Sequence, residues 1–319
     1  MSHAPSPTSF ADEVRAIPGG EHLEMCYACG TCVSKCMIQQ KVEPDYNPRR
    51  LLRQVMMGMR DEAFSNPTTW LCSACDLCYE ACPQEIHIST VIDAVKQLAV
   101  EAGHTSPIET VSVEESLCSG CGICVMVCPY EAPHLIEKEL DGKQDRVSEV
   151  DANKCMGCGI CVAACPLGAI SRPGVSNDDV VPQIAIERQQ DGIPTLLTFV
   201  CDWSLRAAED VSILESYPPN VRIVHIPCTG RIDPQMALMA LKSGIDGVLV
   251  CGCKPGECHY KRGTSVSDCK ISVLNRILEQ MNLNHGQIRF VQIGTQDRGH
   301  IRFEVDAMLK HLADSKEAH

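Results

Sequence analysis

Aromatic residues are scarce in this 319-residue chain, at 4%, and its 28 Lys and Arg are outnumbered by 41 Asp and Glu. The formal charge of −13 leaves no basic face for phosphate, so nucleic acid is excluded as an expected partner. No apolar run approaches the roughly 20 residues that a membrane span needs. The opening stretch, MSHAPSPTSFADEVRAIPGG, has neither the basic nor the apolar region of a secretory signal, and a cytoplasmic location is the expectation. No G-x-G-x-x-G is present, so no FAD or NAD site of the dinucleotide-fold kind is evident. No Ser/His/Asp arrangement stands out, and no two cysteines are adjacent.

What the chain has in abundance is cysteine, 22 residues of it. In a chain without an export signal, that density points to metal binding rather than disulfides. Sixteen of them fall in four runs of one spacing, C-x2-C-x2-C-x3-C: Cys26, Cys29, Cys32, Cys36; Cys72, Cys75, Cys78, Cys82; Cys118, Cys121, Cys124, Cys128; and Cys155, Cys158, Cys161, Cys165. This is the run that ligates 4Fe–4S cubanes. Three thiolates on a tight loop grip three irons of one cube face, and small residues let backbone amides approach the sulfides. In two-cluster ferredoxins the fourth cysteine serves the other cluster. The expected ligand sets are therefore Cys26, Cys29, Cys32, Cys82; Cys72, Cys75, Cys78, Cys36; Cys118, Cys121, Cys124, Cys165; and Cys155, Cys158, Cys161, Cys128. Zinc is the alternative, but zinc sites usually pair two C-x2-C knuckles across a longer gap.

The two pairs differ in what separates their runs. NPRRLLRQVMMGMRDEAF reads as a helix with Asn47 as N-cap and Pro48 at its first position, placing Leu51, Leu52, Val55, Met56 and Met59 on one face. ISTVIDAVKQLAVEAG reads as a second amphipathic helix, stopped at Gly103. The unit between 118 and 165 instead predicts short hairpins around RVSEV. The first pair, with PRRLLRQVMMG and WLCSACDLCYEACPQEIHISTVI, resembles the HdrC subunit of heterodisulfide reductases, which implies an all-helical ferredoxin with two 4Fe–4S clusters. Met37 departs from that pattern, standing where Pro often follows the fourth cysteine. The second pair is similar to the ferredoxin insertion of the HdrA family.

Beyond Cys165 the character changes. SRPGVSNDDVVPQIAIERQQDGIP reads as a linker with room for one helix, interrupted by Pro182. Then the apolar runs TLLTFVC, VRIVHIPC, DGVLVCGC and IRFVQIG alternate with the helical patterns DPQMALMALKSG, SDCKISVLNRILEQMN and DRGHIRFEVDAMLKHLADS, which predicts an α/β domain with a mainly parallel sheet. Cys201, Cys228 and Cys251 or Cys253 end predicted strands, on the rim where open α/β sheets bind ligands. The Pro255-Gly256 turn returns Cys258 to that rim. Four thiols converging there suit a 2Fe–2S cluster, a zinc ion, or merely buried free cysteines.

FVCDW, PCTGR, ALKSGIDGVLVCGCKPGECHY and KRGT resemble the MvhD family, the delta subunit of methyl-viologen-reducing hydrogenases. The resemblance implies a 2Fe–2S cluster held by Cys201, Cys228, Cys253 and Cys258, and electron transfer between a dehydrogenase and a heterodisulfide reductase. Cys251 is the rival ligand, since a strand turns residues 251 and 253 to the same face. Ser204 stands where that family often has a second cysteine and is not expected to bind metal. Cys269 reads as a structural residue on a helix, and His259 and Tyr260 as packing groups. Arg231 either offsets cluster charge or faces a partner.

The chain thus reads as multidomain: an α-helical ferredoxin over 1–105, an α+β bacterial-type two-cluster ferredoxin over 106–172, a linker over 173–194 and the α/β domain over 195–319. With no substrate pocket and no paired-cysteine motif of the HdrB kind, the expectation is an electron-transfer subunit without catalytic residues. Its expected partners are a hydrogenase or other dehydrogenase and an HdrA-like flavoprotein or HdrB-like protein. The alternatives are a self-contained iron–sulfur reductase of a small acceptor and a zinc-stabilised scaffold.

Overall fold

The computed structural model describes residues 9–140, 143–184, 193–207, 217, 219–283, 286–294, 296–297 and 299–317. The chain divides into two compact units, residues 1–108 and 109–319.

Within the described residues the first unit is helical: α1 (Phe10–Ala16), α2 (Thr31–Ser34), α3 (Met37–Lys41), α4 (Pro48–Met56), α5 (Arg60–Phe64), α6 (Pro67–Leu71), α7 (Leu77–Glu80) and α8 (Ile88–Glu101). Local chemistry sets the starts. The Ser9 hydroxyl accepts from the Asp12 N–H and the Asp12 carboxylate accepts from Ser9 N–H, a capping box. Asn47 and Asn66 cap α4 and α6, each followed by a proline that has no N–H to leave unpaired.

The helix expected to run unbroken from residue 48 through Phe64 is instead two. Gly58 takes φ 75°, its N–H bonds to the Val55 carbonyl, and Met59 N–H bonds to Gln54. Glycine enters this left-handed conformation without a Cβ penalty, and the helix ends there. Met59 consequently caps α5 instead of extending the apolar face of α4. Helix α8 does stop where expected, with Gly103 at φ 90° and the Gly103 and His104 N–H groups returning to Val100 and Ala99. Its Ile88, Val91, Ile92, Val95 and Ala99 face a core with Phe10, Leu51, Leu52, Val55, Phe64 and Trp70. Each such large apolar side chain contributes about 1.5–3 kcal/mol on burial.

In the second unit β1 (Ser112–Val113), α9 (Ile123–Val127), β2 (Pro133–Leu140), β3 (Lys143–Val150), α10 (Ile160–Ala164) and β4 (Ile170–Ser171) form the ferredoxin part. Strands β2 and β3 pair antiparallel from Pro133↔Val150 to Leu140↔Lys143, and β1 pairs antiparallel with β4. Next, α11 (Asn177–Val180) and a 3-10 turn through Val181–Ile184 occupy much of the expected linker, and Val180 and Ile184 are buried in the core that follows. Residues 185–192 of that linker lie outside the described residues.

The last part comprises β5 (Leu196–Cys201), α12 (Asp202–Ala207), β6 (Val221–Ile226), α13 (Pro234–Lys242), β7 (Gly247–Cys253), α14 (Gly263–Gln280), β8 (Ile288–Ile293) and α15 (His300–Glu317). Its strands lie in the order β6-β5-β7-β8, every pair parallel. Helices cover both faces. Met236, Ala237 and Ala240 of α13 and Ile271, Leu274 and Leu278 of α14 meet Phe199, Val224 and Val250; Ile301, Val305 and Met308 of α15 meet Leu196, Val200 and Leu249. Burial on both faces is why β5 and β7 read as unbroken apolar runs.

Candidate metal centres

The four cysteine runs share one backbone shape. The residues two and four places after each first cysteine have positive φ: Ala28 (55°) and Gly30 (90°), Ala74 (49°) and Asp76 (63°), Gly120 (61°) and Gly122 (77°), Gly157 (64°) and Gly159 (79°). Such left-handed residues curl the loop so that successive N–H groups face its concave side, an anion-binding nest. Ala28, Ala74 and Asp76 accept a strain there that glycine avoids. All 22 cysteines are free of disulfides.

Cys26, Cys29 and Cys32 line an open cavity of about 340 Å³ into which Cys82, from the neighbouring run, also reaches. Cys118, Cys121 and Cys124 line one of about 360 Å³ with Cys165. There the Ser148 and Ala169 N–H groups donate to the sulfurs of Cys118 (3.4 Å) and Cys165 (3.3 Å). Burial pushes the Cys75 thiol up to about 12, and the thiols of Cys72 and Cys36 push the same way. Burial likewise raises Cys158 to about 12, with Cys128 and Cys155 adding to it.

At the end of the parallel sheet, Cys201 closes β5, Cys253 closes β7 and Cys228 follows β6 by two residues. The Cys201 and Cys253 sulfurs are 3.8 Å apart, and Cys258 packs with them beneath Trp203. A hydrogen bond with Cys253 holds Cys258 down to about 6, assisted by the Thr264 N–H and hydroxyl. Burial raises Cys228, and Cys201, Cys158 and Cys258 all add to that shift. Cys251 lies elsewhere. It is fully buried among Leu249, Ile293, Ile301 and Val305, one pleat repeat short of the rim. The Ser204 hydroxyl is committed to the carbonyls of Cys201 (2.8 Å) and Cys251 (3.2 Å). Cys269 sits on α14 as expected, yet it is exposed rather than packed. His259 is buried and stacks on Trp203 with ring centroids 3.3 Å apart, and Tyr260 meets both edge-on.

These surroundings fit iron–sulfur clusters. Several converging thiols, buried and raising one another's pKa, are deprotonated most readily by a metal that supplies positive charge. The thiols of two runs line each of the two cavities, and the nests of N–H groups suit an anionic guest.

Three contributors were not legible beforehand. Tyr46 is 2% exposed, and its hydroxyl hydrogen-bonds the thiols of both Cys36 and Cys72. Ser148 serves Cys118 from the hairpin. Gly263 opens α14 against the sheet-end site: a Cβ there would overlap Cys228 Sγ and stand 3.7 Å from Cys258 Sγ.

The sequence model for the methyl-viologen-reducing hydrogenase delta subunit matches residues 196–314. The D-type iron-sulfur subunit of the F420-non-reducing hydrogenase of Archaeoglobus profundus is 32% identical over 128 residues, 39% of this chain and 93% of that protein. The chain belongs to this delta-subunit family. Models of 4Fe-4S dicluster domains match residues 22–86, 71–132 and 117–169. The chain is also 32% identical to the A-type subunit of the ferredoxin:CoB-CoM heterodisulfide reductase of Methanosarcina mazei, over 46% of its length but only 19% of that relative. It is 35% identical to the C-type subunit of the H(2):CoB-CoM heterodisulfide,ferredoxin reductase of Methanothermobacter marburgensis, over 31% of its length and 51% of that relative. A delta-type domain is thus joined to ferredoxin parts of the HdrA and HdrC kinds in one iron–sulfur electron-transfer subunit. No helix among the described residues is long and apolar enough to cross a membrane.

Proposed function

We propose that this chain carries single electrons in the cytoplasm between a hydrogenase or other dehydrogenase and a heterodisulfide-reductase partner of the HdrA or HdrB kind. It would do so with four 4Fe–4S clusters and one 2Fe–2S cluster. The cubane ligands are the four exchanged sets, Cys26, Cys29, Cys32 and Cys82; Cys72, Cys75, Cys78 and Cys36; Cys118, Cys121, Cys124 and Cys165; Cys155, Cys158, Cys161 and Cys128. The binuclear ligands are Cys201, Cys228, Cys253 and Cys258, with Cys251 left as a core residue. The helical ferredoxin spans 1–105, the second ferredoxin 106–172 and the delta-type domain 195–319, after a connection over 173–194. When bound, these clusters supply one-electron couples whose potentials follow their charge, hydrogen bonding and exposure.

The observation that carries this reading is the join inside the second unit. Cys158, from the ferredoxin part, and Cys228, from the sheet-end site, belong to one buried apolar cluster with Ile160, bordered by Val127, Tyr260 and Val266. A thiol of each of these two proposed sites thus lies in one buried apolar cluster. That arrangement suits electron exchange within the chain better than separate chemistry at each site. A reductive titration with dithionite under strict anaerobiosis tests the reading: about five electrons per chain are expected, one for each proposed cluster. Uptake of none, or a chain without visible absorption, would contradict it.

A further inference from the structure

Arg231 is the largest fully buried side chain of the described residues, 0% exposed, and it sits at that join. Its N–H returns to the Cys228 carbonyl at 3.0 Å, which fixes it to the turn carrying the Cys228 ligand. Its side chain crosses to the other site. A Cβ on Gly159, the residue between Cys158 and the Cys161 helix, would lie 3.0 Å from Arg231 Cδ. The guanidinium Nε donates to the Val175 carbonyl, and Nη2 donates to Asn177 Oδ1 at 2.7 Å. Nη1 is buried with no acceptor among the described residues.

Burial disfavours the Arg231 charge, while Asp233, Asp179 and Cys161 each favour it, yet among the described residues no carboxylate forms a direct ion pair with it. Asp179 is engaged by Ser176, and Asp233 caps α13 by accepting from the Gln235 N–H. Lys270, from α14, donates to the Gly230 (3.1 Å) and Ile232 (3.2 Å) carbonyls of the same turn and brings a second positive charge to it. Burying a guanidinium without a direct ion pair is costly, and a buried donor without an acceptor needs a physical reason. A cluster bound by four thiolates is an anion, and reduction adds one more negative charge to it.

We infer that Arg231 is a positioning residue that serves as the buried counter-cation of the cluster held by Cys155, Cys158, Cys161 and Cys128, raising its reduction potential while tying the Cys228 turn to it. This rests on the cluster assignment proposed above. A positive charge nearby stabilises the reduced form more than the oxidised form, and charge around a cluster is one of the levers that sets its potential. The carbonyl of Val175 and the amide of Asn177 orient the guanidinium without neutralising it, so it stays a cation beside the site.

The test is EPR-monitored redox titration of the full anaerobic chain, wild type against Arg231→Gln and Arg231→Lys, with iron and sulfide measured on each sample. In Arg231→Gln, one 4Fe–4S couple should shift so that its reduced-to-oxidised ratio at fixed potential falls about ten-fold, about 59 mV for one electron. Arg231→Lys keeps the charge but loses the paired hydrogen bonds, and should recover most of that shift. Equal downward shifts in both variants, or unchanged potentials at full iron content, would overturn the inference. Should Arg231→Gln fail to load iron, Asn177→Asp decides: placing a carboxylate on Nη2 should lower the same couple, and an unmoved couple overturns the inference. A wild-type chain lacking iron would sink the cluster assignment instead, a separate failure.

Discussion

The runs CSGCGICVMVC and CMGCGICVAAC, at Cys118–Cys128 and Cys155–Cys165, are near-copies on the same backbone, yet they live in different surroundings. Cys121 is exposed, and Leu117, Met126 and Leu167 beside its run stand 51%, 74% and 52% exposed. Cys155, Cys158 and Cys161 are only 7–8% exposed. The loops curl alike; what differs is that Gly230, Tyr260, Val266 and Arg231 pack against the second, whereas the first lines an open cavity with Leu135 and Ser148. One motif thus stands in two environments. On the proposed function, the open site is the one that would meet a partner's redox centre and the covered one would exchange electrons within the chain.

The largest effect expected from breaking that contrast follows Cys158→Ala. Deleting this proposed ligand of the covered site should remove about four iron per chain, read by iron and sulfide analysis. Because Cys158 also belongs to the apolar cluster at the join, the same change should lower the unfolding temperature of the chain more than Cys121→Ala does. Equal losses of stability would mean that the join contributes nothing.

Gly263→Ala should be narrower. Its Cβ meets the Cys228 sulfur, so about two iron should be lost while the cubane EPR signals persist. A variant with full iron content would show that Cys228 is not where the binuclear site is anchored. Exposure sharpens the comparison further. On admission of an iron chelator, the site lined by Cys118, Cys121, Cys124 and Cys165 should bleach several-fold faster than the one around Cys158, followed by Mössbauer or EPR spectra over time.

The smallest expected effect lies in the helical unit. Tyr46→Phe removes one hydroxyl that hydrogen-bonds Cys36 and Cys72, and should cost about 1 kcal/mol of stability in the loaded chain by denaturant unfolding. A shift in the reduction potential of one cubane should accompany it, toward lower values, since a donor to ligand sulfur favours the more negative form.

How much of this was written in the sequence depends on range. The cysteine runs and the four parallel strands are local patterns, and their spacing or apolar run states them directly. The cap at Asn47 and the stop at Gly103 are local too. The break at Gly58 was missed because the apolar pattern continues through Met59, while a single left-handed glycine decides the backbone. Cys251 and Cys253 share a face, as the pleat requires. Depth along the strand separates them, however, and places Cys251 in the layer of Ile301 and Val305. Cys269 lies on α14, as its helical pattern implies, with its side chain exposed. Arg231 illustrates the limit: PCTGR gives its neighbours in the chain, but Gly159 and Val175, more than fifty residues away, give its meaning.

The central claim is that these thiols hold iron–sulfur clusters, and metal analysis tests it most directly. Iron, acid-labile sulfide and zinc should be measured per chain after strictly anaerobic purification. Four cubanes and one binuclear cluster predict about 18 iron and about 18 sulfide with no stoichiometric zinc. About 16 iron with one zinc would turn the site of Cys201, Cys228, Cys253 and Cys258 into a structural one. Near-zero iron with several zinc would contradict the account as a whole.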